Sequence, residues 1–151
     1  MKGCILGDCN MTKIFNTSWL AVLLAALAFY IVGILWYGFL FQEIFLAASG
    51  ISAAEMEANS SPTMMVWGVI ITIAQALGLL WIIDKSGAKG LSACLSTAFW
   101  LFTMIAAPLL AYRCVYESYS LSGTLVDYSH ILLGYLAIAA IYAFFRGRAA
   151  A

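Results

Sequence analysis

Four long stretches without Asp, Glu, Lys or Arg dominate this chain of 151 residues. A helix rises about 1.5 Å per residue, so roughly 20 apolar residues are needed to cross a bilayer core about 30 Å thick. The stretches cover residues 18–41, 63–83, 91–112 and 128–145. Inside lipid the backbone must satisfy its own hydrogen bonds, and a continuous apolar run does so as a helix. The pattern predicts an all-α membrane protein with four transmembrane helices.

The composition excludes an ordinary water-soluble domain. Hydrophobic residues make up 65% of the chain and charged residues 9%, whereas soluble domains hold about 45–50% apolar and about 25% charged residues. Seven Lys and Arg balance seven Asp and Glu, so no net basic field attracts nucleic acid. We therefore expect the lipid bilayer to surround the chain, and we expect no nucleic-acid partner.

The polar segments predict the domain organisation and the orientation in the membrane. Residues 1–15 form an N-terminal cytoplasmic leader, residues 16–146 the transmembrane domain and residues 147–151 a C-terminal tail. Four spans place both ends and the middle loop on one side, and this side holds six of the seven Lys and Arg residues. Such residues concentrate on the cytoplasmic side. We expect an antiparallel four-helix bundle in the cell inner (plasma) membrane with both termini in the cytoplasm.

Two further features concern the ends of the predicted segments. Met11 is an alternative to Met1 as the start of the chain, because residues 1–10 look dispensable. In the loop between the first two spans, Ser52 and Glu55 have the spacing of a capping box, in which each side chain bonds to the backbone of the other residue. This pattern predicts a short helix over about residues 53–58.

Small and polar residues at helical spacing predict which faces pack inside the bundle, because helices in lipid associate through close contacts and polar bonds. The predicted inward stripes are Ser18, Ala21, Ala25 and Ala28 in the first span, Gly68, Thr72 and Gln75 in the second, Ser92, Ser96, Phe99, Thr103 and Ala107 in the third, and Asp127, His130, Gly134 and Ala137 in the fourth. On another face of the fourth span, Tyr128, Tyr135 and Tyr142 recur every seven residues. We expect these tyrosines to form a face that contacts lipid or another subunit.

Strongly polar groups within the spans are candidates for function, because they are costly in lipid. Gln75 lies near the middle of the second span and His130 near the beginning of the fourth. One interpretation is a proton path in which Asp127 orients His130 and Arg113 or Glu117 approaches from the third span. The interpretation that we favour is structural. Gln75 then bonds to a neighbouring helix, and the group of Arg113, Glu117, Asp127 and His130 ties the third span to the fourth.

The sequence carries no pattern typical of an enzyme. The four cysteines, at positions 4, 9, 94 and 114, form no Cys-x-x-Cys pair and lie far along the chain from His130, whereas a zinc site needs clustered Cys or His ligands. A nucleophile elbow and a phosphate-binding glycine loop are also missing from the sequence. We expect unpaired thiols, no catalytic residue, no metal and no cofactor.

The end of the first span resembles a known family. Gly33, Trp36 and Tyr37 lie in the run Gly-Ile-Leu-Trp-Tyr, which is similar to the Gly-x-Leu-Trp-Tyr signature of a mostly bacterial family of small integral membrane proteins, the domain of unknown function 1761. The run Trp19-Leu20-Ala21 and the run Tyr128-Ser129-His130 add to the resemblance. It covers about residues 16–145 and implies a membrane architecture without implying an activity, a substrate or a cofactor.

These observations favour a non-enzymatic interaction, accessory or scaffold subunit. Such a protein works as a homo-oligomer or within a larger membrane complex, and its function lies in helix packing. The alternative is a small oligomeric channel or a proton-coupled transporter that uses Gln75 and His130.

Overall fold

The computed structural model describes residues 13–14 and 17–149. Its seven helices in this part of the chain are α1 (Trp19–Leu35), α2 (Gln42–Ser49), α3 (Ala53–Asn59), α4 (Pro62–Lys85), α5 (Gly90–Leu101), α6 (Ala107–Tyr116) and α7 (Leu121–Ala149). Two π-helical turns, Trp36–Leu40 and Phe102–Ala106, extend α1 and join α5 to α6. A two-residue antiparallel pair of strands, β1 (Lys13–Ile14) and β2 (Thr17–Ser18), precedes α1. Most of the predicted leader, including both candidate start residues, lies outside the described residues.

Four helical segments are long and apolar enough to cross a membrane, which confirms the predicted number of spans. They are span 1 (Trp19–Leu40), span 2 (Pro62–Lys85), span 3 (Gly90–Tyr116) and span 4 (Leu121–Arg146). Span 3 ends later and span 4 begins earlier than predicted, so Arg113 and Asp127 lie inside helices. These two opposite charges form an ion pair, which allows both helices to continue through them. At the chain's end, α7 continues through most of the predicted tail.

Serine side chains determine where three of the helices begin. The Ser18, Ser52 and Ser61 hydroxyls each accept a backbone N–H from the first turn of α1, α3 and α4, a group that has no partner within its own helix. The capping box between Ser52 and Glu55 is complete, which confirms the short helix predicted in this loop. The Ser52 backbone N–H and hydroxyl both donate to the Glu55 carboxylate and hold the pKa of Glu55 below its usual value.

The last helix, α7, lies at the centre of the packing and contacts α1 and α5 most extensively. Gly134 allows the close approach of α1, because a side chain at this position overlaps the ring of Phe29. The hydrophobic core among the helices also includes Val22, Leu80 and Ile138, all fully buried. A glycine at a helix crossing is the expected device in lipid, where van der Waals packing holds helices together.

The predicted inward face of span 3 is wrong. Ser92, Ser96 and Phe99 are exposed on the outside of the bundle, and Cys94 and Ala98 are buried instead. The two residues are small enough for α5 to approach α7 closely, so spacing alone did not distinguish the two faces. The stripe predicted for span 1 does include buried residues at Ala21 and Ala25.

The predicted outward face of tyrosines on span 4 is also wrong. Tyr142 has no exposed surface, and its hydroxyl donates to Asp84 at 3.3 Å and accepts from Arg146 at 3.2 Å. The Tyr128 hydroxyl donates to the Ala107 carbonyl at 2.8 Å, and Tyr135 packs against the core. Tyr128 and Tyr142 face inward because their hydroxyls find partners there, and the ring of Tyr135 fills space beside the core.

Candidate functional site

Four side chains from three spans meet near the end of span 1, and we call them the polar cluster: Tyr37, Arg113, Asp127 and His130. Tyr37 lies in the π-helical turn that ends span 1, and Arg113 lies in the last turn of α6. Asp127 and His130 lie one turn apart on α7. The cluster therefore joins the end of span 1, the end of span 3 and the first half of span 4.

Asp127 is the centre of the polar cluster. Only 5% of its surface is exposed, and a buried carboxylate needs a charge partner and hydrogen bonds to compensate for lost hydration. Arg113 Nη1 donates to Oδ2 at 2.9 Å, and the Tyr37 hydroxyl donates to Oδ1 at 2.8 Å. Both oxygens of the carboxylate are thus engaged by neighbouring spans.

Arg113 has two further contacts on its exposed side. Its Nε lies 3.7 Å from the Glu117 carboxylate, one turn later in the same helix region. Its guanidinium carbon lies 4.0 Å from the centre of the Tyr119 ring, a distance at which the cation is attracted to the ring face. Arg113, Glu117 and Asp127 therefore form one charged group, as the sequence placed them, with Tyr119 as a partner that the sequence reasoning missed.

His130 joins this group through Tyr37 rather than through Asp127. The Tyr37 hydroxyl oxygen lies 3.3 Å from His130 Nδ1. Because the single proton of Tyr37 is directed to Asp127, the hydrogen bond requires a proton on Nδ1, which in the neutral imidazole leaves Nε2 unprotonated. The imidazole also contacts the ring of Phe29, with the two ring centres 5.1 Å apart.

The residues of the family-like motif build the contact between span 1 and span 4. Trp36 Nε1 donates to the Ser129 hydroxyl at 2.8 Å, and the adjacent Tyr37 reaches Asp127. The π-helical turn that begins at Trp36 directs both consecutive side chains toward α7, and such turns are frequent at functional sites. Gly33 completes the arrangement, because an added Cβ there would lie 3.2 Å from His130 Nε2.

A cavity of about 810 Å³ adjoins the polar cluster, and we call it the lateral cavity. It lies among span 1, span 2, span 4 and Met56 of α3, and Arg113 closes it at the cluster end. Ile34 and Ile71 on its wall are 48% and 54% exposed, so the cavity opens between span 1 and span 2. Its size is within the range of small-molecule sites, about 300–1,000 Å³.

Gln75 lines the lateral cavity together with His130. The amide oxygen of Gln75 is buried and has no hydrogen-bond partner among the residues that the structure describes. The predicted bond from Gln75 to a neighbouring helix is therefore wrong. A buried acceptor without a donor costs about 1–3 kcal/mol, so such an atom needs an explanation.

Residues 13–14 and 17–149 hold no group of three or more His, Cys, Asp or Glu side chains that could bind a metal ion. Within the same ranges Cys94 and Cys114 are free thiols. Cys4 and Cys9 lie outside the described residues.

A comparison with family models identifies the family of the chain. A family model with the description Protein of unknown function (DUF1761) matches residues 20–143, which confirms the family predicted from the Gly33, Trp36 and Tyr37 motif. No curated protein and no solved structure matches the chain.

Proposed function

Because the chain belongs to the DUF1761 family and has four helices of membrane-spanning length, we propose that it is a multi-pass membrane protein that acts without catalysis. It serves as an interaction, accessory or scaffold subunit in the cell inner (plasma) membrane. Its helices form an antiparallel bundle with both termini in the cytoplasm. The short turn between α4 and α5 and the six Lys and Arg on one side support this orientation.

The polar cluster supports a structural use of its charges. The Asp127 carboxylate is engaged by Arg113 and Tyr37, so it holds three spans together rather than presenting a free oxygen to a substrate. At the other end of the bundle, Asp84 lies 3.8 Å from Arg146, which also donates to the Ala88 carbonyl. An ion pair that involves span 4 therefore stabilises each end of the bundle.

The observation that carries the proposal is the outward face of span 3, the span with the smallest buried share of the four. Ser92 and Ser96 are exposed there, four residues apart. Small residues at this spacing let a second helix approach closely, and hydroxyls facing lipid gain from bonding to a partner helix. Trp100 is 53% exposed beside them and supplies apolar contact area. We assign this face to a second copy or to another membrane subunit.

The test replaces both serines by leucine and measures the size of the purified protein in mild detergent. We expect the unmodified protein to run as an oligomer, alone or with a co-purified subunit, and Ser92→Leu with Ser96→Leu to run as the monomer. Ala74→Leu with Gly78→Leu is the matched control, because these exposed small residues have the same spacing on span 2. A monomeric unmodified protein without a co-purified subunit, or dissociation by the control substitutions alone, contradicts the assignment.

A channel or proton-coupled transporter is the second candidate, and one observation favours it. Gln75 and His130, from span 2 and span 4, line the same cavity. Proton or cation flux into vesicles that contain the purified protein, lost in Gln75→Leu and in His130→Phe, supports transport. Vesicles without flux for protons, sodium or potassium exclude it for these ions.

A further inference from the structure

Most polar groups around the lateral cavity already have partners in the protein or lie out of reach. The Thr72 hydroxyl donates to a carbonyl of its own helix, and the Tyr37 hydroxyl donates to Asp127. The cation on the wall, Arg113, is paired with the same carboxylate at 2.9 Å. The Gln75 amide oxygen is buried, so it presents no surface to the open space. An occupant therefore gains little from polar groups, and the cavity favours hydrocarbon.

The walls that an occupant can reach are apolar and border the surroundings of the bundle. Ile34 of span 1 and Ile71 of span 2 are half-exposed at the opening. A second cavity of about 110 Å³ adjoins the first and shares Tyr30 and Thr72 with it. Its wall includes the half-exposed Leu27. In the proposed membrane placement these surroundings are lipid, so lipid chains have direct access to both cavities.

The size of the lateral cavity suits a single hydrocarbon chain. Gly38 and Gly68 line it, and a Cβ added at Gly38 meets no atom within 4 Å. The cavity measures about 810 Å³. A methylene group takes about the volume of a water molecule, ~30 Å³, so roughly 27 methylene groups fill it. That is enough for one acyl chain of a membrane lipid and too little for two.

A transmembrane helix of a partner does not fit the same space. Such a helix is about 10–12 Å wide and needs about 30 Å of length. Along span 1 the residues that line the two cavities extend from Leu23 to Gly38, about 22 Å at the rise of an α-helix. Met56 of α3 borders the lateral cavity, so the connecting helix stands in the path that a partner helix would take. A flexible hydrocarbon chain fits beside Met56.

We propose that the lateral cavity binds one acyl chain of a membrane phospholipid, which lies along span 1 against Tyr30, Ile34 and Ile71. The chain enters between span 1 and span 2, and the headgroup stays near the end of span 1, where Arg113 borders the cavity. The bound lipid then fills the space among span 1, span 2 and span 4 and is part of their packing. The inference rests on the membrane placement proposed above but on none of the contacts assigned to span 3.

The test counts the phospholipids that remain bound to the full chain. The protein is purified from membranes in mild detergent, and native mass spectrometry measures its mass under conditions that remove the detergent. We expect one phospholipid per unmodified chain. Gly38→Leu fills the cavity from span 1 and Thr72→Phe fills it from span 2. Each should lower the lipid-bound fraction about tenfold, because the added side chain takes part of the volume that the acyl chain needs.

Matched controls place the same side chains away from the lateral cavity. Gly78 is as open as Gly38 and is not among the residues that line this cavity, so Gly78→Leu should retain the phospholipid. Thr103 of span 3 also donates its hydroxyl to its own helix and is not among the lining residues, so Thr103→Phe should retain it as well. Circular dichroism identifies any variant that does not fold, and the other cavity-filling variant then carries the comparison.

Three results would overturn the inference. They are an unmodified chain without a bound phospholipid, a lipid-bound fraction that survives both cavity-filling substitutions, and a loss of lipid that the controls share. A bound molecule of another class, such as a quinone or a free fatty acid, in place of the phospholipid belongs to the first of these results. The oligomer size and the membrane topology are measured without the lipid count, so failure of the inference is distinguishable from failure of the proposed function.

Discussion

Arg113 and Asp127 face each other across the junction of span 3 and span 4, with Nη1 and Oδ2 2.9 Å apart. The pair combines a partly exposed cation with a nearly buried anion, whose side chains are 41% and 7% exposed. Since Tyr37 of span 1 bonds to the second oxygen of the same carboxylate, one side chain links three of the four spans.

Replacement of Asp127 should therefore weaken the packing of these three spans. Asp127→Asn removes the charge that Arg113 faces, and we expect the free energy of unfolding to fall by about 1–3 kcal/mol. The measurement is unfolding of the detergent-solubilised protein by titration with a denaturing detergent, followed by circular dichroism. Glu117→Gln is the control, because the Glu117 side chain is 65% exposed and 3.7 Å from Arg113. It should change stability by less than about 1 kcal/mol. An equal effect of the two substitutions would contradict the central place of Asp127.

The crossing of α1 and α7 depends on a position without a side chain. A Cβ at Gly134 overlaps the Phe29 ring, so Gly134→Ala should lower the free energy of unfolding by about 1–3 kcal/mol in the same assay. Gly78→Ala, at a site where a Cβ meets nothing within 4 Å, should not destabilise the protein. Because the clash needs both partners, Phe29→Ala with Gly134→Ala should cost less than the sum of the single substitutions. Additive effects would exclude the predicted contact.

Substitutions of Tyr142 test whether its side chain stabilises the folded chain or contacts another subunit. Its ring is fully buried, so we expect Tyr142→Ala to destabilise the protein by about 3–5 kcal/mol, as loss of a buried aromatic ring does. Tyr142→Phe removes only the hydroxyl that bonds to Asp84 and Arg146 and should cost about 1 kcal/mol. Unfolding titrations measure both values. If Tyr142→Ala instead altered the oligomer size at unchanged stability, the tyrosine would belong to an interface.

The sequence was sufficient for the number of spans because length and polarity alone determine whether a helix can cross a bilayer. It was not sufficient for the ends of span 3 and span 4, since charges normally mark a boundary. Arg113 and Asp127 lie inside helices because they neutralise each other. The sequence alone does not show which charged residues form ion pairs. The same holds for Tyr142, whose hydroxyl is acceptable in the core only because Asp84 and Arg146 meet it there.

The sequence predicts most residues of the candidate site but not the hydrogen bonds between them. Arg113, Asp127 and His130 stood out as ionisable groups, whereas Tyr37 was singled out only by the family-like motif. Nothing in the residue spacing indicated that a π-helical turn directs Tyr37 to Asp127 and His130. The lateral cavity depends on how span 1, span 2 and span 4 pack together, which a periodic pattern does not show.

The connecting helix α3 should respond to acid. Hydrogen bonds from the Ser52 backbone and hydroxyl lower the pKa of Glu55, so its carboxylate stabilises α3 at neutral pH, and this contribution is lost as the pH falls through the lowered pKa. We expect amide exchange of Met56, whose N–H bonds to the Ser52 carbonyl, to rise relative to a span 2 amide below that pH. Glu55→Gln should remove the pH dependence and keep the helix. Exchange that rises equally in the variant would assign the effect to another group.

In the proposed topology the four helices cross a membrane with both ends and the α4–α5 turn on the cytoplasmic side. Single cysteines at Glu57, Glu117 and Ser86, all exposed, test it in a chain whose own four cysteines are replaced by serine or alanine. Intact cells are treated with a membrane-impermeant maleimide before and after lysis. We expect labelling of Glu57→Cys and Glu117→Cys in intact cells and of Ser86→Cys only after lysis. Labelling of Ser86→Cys in intact cells, or protection of either of the other two, would contradict it.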